Sequence, residues 1–216
     1  MLKALVVKEL RESAGIIALA VLGAIYLLGE MTGTPVAPWQ YAQTYAYPFV
    51  SDILSFNFWL IAGSLAIALG IRQTAWELGQ GTYFFLLHRP ISRSRIFALK
   101  LLIGAALAMT FSAAFILIYA WWAMTPGHVA APIEWSMTQP AWIRWIGVLP
   151  LYIGAFLSGI RPGRWFGTRL VPLVAGIGTA LLASWMPWFW AALAISIIGS
   201  AFGLVSIFYY IRERDF

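Results

Sequence analysis

A chain of 216 residues that is 62% apolar and only 10% charged, with a mean hydropathy of +0.82, lies far below the roughly 25% charged residues of soluble domains. That excludes an ordinary soluble enzyme. Cysteine is absent, which removes disulfides, thiolate metal sites and a cysteine nucleophile, and the net charge of +6 follows the apolar segments instead of forming a patch, so no nucleic-acid partner is expected.

Stretches of about 20 apolar residues suffice to cross a bilayer, and six can be placed, over 13–31, 53–71, 101–124, 143–160, 170–186 and 189–211. The expected fold class is an all-α integral membrane protein, one transmembrane domain covering 1–216, multi-pass in the cytoplasmic (inner) membrane. Both termini are expected in the cytoplasm. That orientation leaves only Arg144 of the 14 Lys and Arg residues outside, as the positive-inside bias requires. It also gathers nine of the 12 Trp on the outer side, most simply as an interfacial belt.

In chain order, residues 2–12, LKALVVKELRE, place Leu2, Leu5, Val6 and Leu10 on one side of a helical wheel, and Glu9 interrupts that face. An amphipathic helix on the cytoplasmic surface is the expectation, with a plain extension of the first span as the alternative. The outer loop 32–52 is broken by Pro35, Pro38 and Pro48. The fourth span contains Pro150, which should kink it or free a backbone acceptor for a neighbouring helix. The loop RPGRWFGTR, 161–169, is either a second contact for a cytosolic partner or a topology determinant. Small residues four apart, such as Ala66 and Gly70, Gly104 and Ala108, Gly154 and Ser158, Gly176 and Ala180, and Gly199 and Gly203, permit close helix approach in lipid.

No catalytic constellation emerges. The spans contain no ionisable residue near mid-depth, the two His fall on opposite sides, and GxSxG, HExxH and GxxxxGK[ST] are all missing. No metal site or cofactor is therefore expected in this chain. An intramembrane enzyme would have to rely on Asn57, Thr110, Ser112 or Ser158.

The segment 72–100, RQTAWELGQGTYFFLLHRPISRSRIFALK, stands apart. A helix is expected from about 74 to 87, with Glu77 facing the cytosol and an apolar knob at 83–87. Gly79 and Gly81 weaken that helix, as if another surface came close; Pro90 stops it, and Ser92 is placed to cap the next helix. Read from composition alone, this is an interfacial hairpin whose basic residues fix topology and meet anionic headgroups.

The order of its residues carries more. Glu77, Gly81, Thr82, Leu86, Leu87, Pro90, Ser92, Arg93 and Lys100 form E-x3-GT-x3-LL-x2-P-x-SR-x6-K, which resembles the cytosolic loop between the second and third spans of ABC-2 type transporter permeases. KELRE before the first span and the closing RERDF are similar to the same family's ends. The resemblance implies a six-helix permease subunit, working with a second permease chain (identical or a sibling) and with separate P-loop ATPase subunits that hold ATP and Mg. It further implies that 72–100 is a coupling segment in which Glu77, Gly81, Thr82, Arg89, Pro90, Ser92 and Arg93 meet the ATPase, with Glu77 as the anchor. The short Met186-Pro187-Trp188 corner departs from the family's usual pair of re-entrant helices. Export of an amphiphilic substrate is the expected function. The alternative is a non-transporting membrane scaffold or assembly factor that recruits a cytosolic partner.

Overall fold

The computed structural model describes residues 2–34, 36, 48–49, 52–81, 92–129, 132–164 and 167–213. All regular structure among them is helical. Five helices are long and apolar enough to cross a membrane, in keeping with a multi-pass membrane protein.

The first helix, α1 (Leu2–Met31), is continuous over 30 residues, about 45 Å at 1.5 Å per residue. The separate surface helix expected at 2–12 is therefore corrected to an extension of the first span. The reason is electrostatic: Lys8, Glu9 and Glu12 find partners inside the bundle, and Leu5 packs on Ile96, so the stretch continues along the protein and does not turn onto the surface.

The second helix, α2 (Asp52–Ile71), runs into a π-helical turn, Arg72–Trp76, and one last α-turn, Glu77–Gly79. The helix expected to reach 87 thus stops eight residues earlier. Gly81 explains the stop, because its φ of +70° is the left-handed conformation that commonly ends a helix and that glycine adopts without strain. At Gly79 a Cβ would meet nothing within 4 Å among the described residues of this chain. The expected apolar knob at 83–87 lies outside the described residues.

After Ser92 comes α3 (Arg93–Met124), then a 3-10 turn, Trp135–Thr138, leading into α4 (Gln139–Ile146) and α5 (Val148–Ile160). A 3-10 turn, Thr168–Leu170, opens α6 (Val171–Ser184), and α7 (Phe189–Glu213) follows. The expected span 170–186 is thus a helix of 14 residues, about 21 Å long and short of the roughly 30 Å hydrocarbon core.

Helix α5 is the axis of the structure. Every residue in it except Leu149 is buried, and it packs against α2, α3, α6 and α7. Glycines permit the approach. At Gly70 of α2 a Cβ would stand 2.8 Å from the Ala155 Cβ and the Phe156 nitrogen, while Gly154 and Gly176 let the backbones of α5 and α6 meet. The small residues thus serve packing within one chain. By contrast α1, α3 and α7 turn large apolar side chains outward, among them Leu19, Leu102 and Phe202, as lipid-facing helices do. Trp121, Trp185, Trp188 and Trp190 are likewise exposed.

Pro150 behaves as its chemistry requires. The helix is interrupted at Gly147, and the carbonyl of Ile146, whose i+4 partner is the proline, accepts the hydroxyl of Ser196 on α7 at 2.8 Å. A neighbouring helix thus replaces the missing amide.

Candidate functional site

The ion pairs among the described residues concentrate at one end, where the start of α1, the end of α2 and the start of α3 meet α5. Lys100, about two turns into α3, has a fully buried side chain. Its Nζ lies 2.5 Å from Glu9 Oε1 and 2.7 Å from Glu77 Oε2. Glu77 Oε1 in turn accepts from Lys8 Nζ at 2.9 Å. Lys8 also faces Glu12 across 3.6 Å, and Glu12 faces Arg72 across 3.6 Å. The Arg72 guanidinium stands 5.5 Å from the ring centre of the exposed Trp76.

On its deep side the network continues through neutral groups. Glu9 Oε2 accepts from Gln73 Nε2 at 3.2 Å, and the same amide donates to the Lys100 carbonyl at 3.1 Å. Gln73 Oε1 accepts the Tyr152 hydroxyl at 2.6 Å. A single string of contacts therefore runs from Tyr152 on the axial helix to Trp76 at the surface, with α1 and α3 tied in between.

Charge balances along it. Glu9, Glu12 and Glu77 oppose Lys8, Arg72 and Lys100. Balance is what allows burial, because an isolated ion in a low-dielectric interior costs several kcal/mol or more, and only a well-placed counter-ion with further hydrogen bonds offsets it. The burial is graded: the side chains of Lys100, Glu9 and Glu77 are 0%, 1% and 3% exposed, against 30% for Lys8 and Glu12 and 24% for Arg72. The inner three depend on their geometry; water screens the outer three.

Local sequence makes room for this. The π-helical turn is wider than an α-turn, and Gln73, Thr74 and Glu77 of this region are all buried. The Thr74 hydroxyl donates to the Gly70 carbonyl at 2.7 Å. Two glycines supply the space on the partner helices: a Cβ at Gly104 would collide with Gln73 Oε1 and the Tyr152 hydroxyl, and one at Gly159 would collide with Thr74.

Glu77 is therefore corrected from a cytosol-facing anchor to a buried one. Its neighbours could not have been guessed from helix periodicity within 74–87, because its counter-ions come from Lys8 and Lys100, 69 and 23 positions away. Of the other residues expected at a contact, Ser92 and Arg93 are exposed and Gly81 is partly exposed. Thr82, Arg89 and Pro90 lie outside the described residues. Ser92 occupies the N-cap position of α3, and its carbonyl accepts from the amides of Arg95 and Ile96; its hydroxyl makes no capping bond.

In the basic loop, Arg169 has a structural task. Its guanidinium donates to the carbonyls of Ser158 and Gly159 at 3.1 and 3.0 Å, closing the last turn of α5, where a cation is favoured by the helix dipole. Sequence reasoning did not place Glu9, Gln73 or Tyr152 in any site. The available signal was Glu9 itself, a carboxylate on an otherwise apolar face.

Compared with family models, curated proteins and solved structures, the chain matches none.

Proposed function

We propose that the chain is the membrane-spanning permease subunit of an ATP-driven exporter, of the ABC-2 type that its segment 77–100 resembles. It works with a second permease chain and with a separate P-loop ATPase that holds ATP and Mg. Six crossings put both termini in the cytoplasm. The fifth is α6 with its leading 3-10 turn, 17 residues in all, which reach about 27 Å.

The observation that supports this reading is the clamp on both flanks of 82–91. Glu77 before it and Lys100 after it are bound to each other and to Glu9 and Lys8 of α1. A force applied to the intervening segment is therefore delivered to α1, α2 and α3 together, the rigid-body motion an export stroke needs. In this reading Thr82, Arg89, Pro90, Ser92 and Arg93 meet the ATPase, Gly81 supplies the turn, and Glu77 is the joint behind the contact. A lipid-like or peptide amphiphile suits the apolar helices better as cargo than a bare ion does.

The test is affinity purification of the full chain from its native membrane, followed by identification of bound proteins and assay of ATP hydrolysis. A P-loop ATPase at constant stoichiometry is expected, and Arg93→Glu should weaken its retention while leaving the fold intact. A stable, functional protein with no ATPase in its complex would replace this reading with that of a membrane scaffold.

A further inference from the structure

On the side of the axial helix away from the ion network, α5, α6 and α7 enclose a narrow groove of about 250 Å³. That is smaller than the roughly 300–1,000 Å³ of pockets for compact drug-sized ligands. Its α5 wall follows one helix face from Pro150 through Gly154 to Arg161, about 16 Å at 1.5 Å per residue. This equals roughly half of the 30 Å hydrocarbon core. The walls are apolar or small for most of that length, and Phe202, 76% exposed, marks the side open to lipid.

The two ends differ. Pro150 and Thr179 stand toward one end and Arg161 and Tyr210 at the other. The hydroxyls of Thr179 and Ser206 are already committed to the carbonyls of their own helices, Ala175 and Phe202. The half-buried Arg161 side chain has no hydrogen bond or ion pair among the described residues. Arg164 lies in the loop just beyond it. A slot one leaflet deep, apolar along its length and carrying a free guanidinium at its mouth, matches an acyl chain with an anionic headgroup. Basic pockets between membrane helices bind such lipids by this arrangement.

We propose that this groove holds one chain of an anionic membrane phospholipid, with its phosphate on Arg161. The site is separate from the ion network and does not depend on the permease reading. Anchoring there would fill the cleft between α6 and α7 and steady the short α6 against the axial helix.

The full chain in detergent, titrated with phosphatidylglycerol or phosphatidylcholine and followed by native mass spectrometry, tests this. Wild-type protein should retain one phosphatidylglycerol in preference to phosphatidylcholine. Arg161→Gln should reduce that preference about five-fold, the effect of one basic residue at a headgroup. Ala175→Phe, at an exposed groove position, should block both lipids, and Arg212→Gln, outside the groove, should change nothing. Equal retention of the two lipids by wild-type protein, or undiminished preference in Arg161→Gln, overturns the proposal. So does an Ala175→Phe variant that binds lipid normally but self-associates less, which would assign the groove to a second copy of the chain.

Discussion

Glu9 and Lys100 stand 91 positions apart in the chain, and their side chains meet at 2.5 Å with essentially no exposure to solvent. Both carboxylate oxygens of Glu9 are used, one by Lys100 and the other by Gln73. Lys100 is shared with Glu77, so a single buried cation stands between two buried anions. This triangle closes α1, the α-turn Glu77–Gly79 that follows the π-turn, and α3 into one unit.

Removing the cation should accordingly be severe. Lys100→Met leaves Glu9 and Glu77 facing each other out of water, and breaking a buried pair in this way costs about 3–5 kcal/mol. Glu9→Gln added to Lys100→Met should recover part of the loss, because one stranded charge disappears. Lys8→Met should cost far less, since Lys8 is 30% exposed and solvent screens its pairs. Thermal unfolding of the variants in detergent orders them; a Lys100→Met protein as stable as wild type would show that the triangle contributes nothing.

The neutral half of the string makes a separate prediction. Gly104 leaves the space that Gln73 and Tyr152 occupy, and its missing Cβ would overlap both side chains. Gly104→Ala should therefore destabilise by about 1–3 kcal/mol, as overpacking does. Gly15→Ala in α1 is the matched control. Nothing among the described residues lies within 4 Å of its Cβ position, so helix propensity alone should make it neutral or stabilising by up to about 1 kcal/mol. Equal melting temperatures for the two variants would refute the close approach at Gly104.

What could be read from the sequence follows from the range of each interaction. Helicity, apolar spans and the consequence of Pro150 depend on composition and on residues a turn apart, and these were legible. So was the peculiarity of 72–100, as a cluster of charge and glycine between apolar runs. The pairing of Glu9 and Glu77 with Lys100 was not, because it depends on which helices become neighbours, and periodicity within one helix says nothing about that. The same limit misplaced Glu77 in the cytosol. A lone carboxylate on a helix looks like a solvated face until its counter-ions arrive from elsewhere. The π-turn was equally hidden, since RQTAW carries no breaker to announce a widened turn. Helix α6 fell short because Pro172 and the corner at Met186-Pro187 bound it more tightly than its apolar run suggested.

The break at Gly147 supplies the last test. Ser196 donates to the Ile146 carbonyl because Pro150 cannot, so the two substitutions should be coupled. Ser196→Ala alone leaves a buried acceptor without its donor, which costs about 1–3 kcal/mol. In a Pro150→Ala background residue 150 has an amide to offer, and the same Ser196→Ala change should then cost little. A double-mutant cycle on melting temperature measures the difference, for which coupled neighbours typically give about 0.5–3 kcal/mol. Strict additivity would mean that the hydroxyl and the missing amide do not share an acceptor, and that the α4–α5 break is held by packing alone.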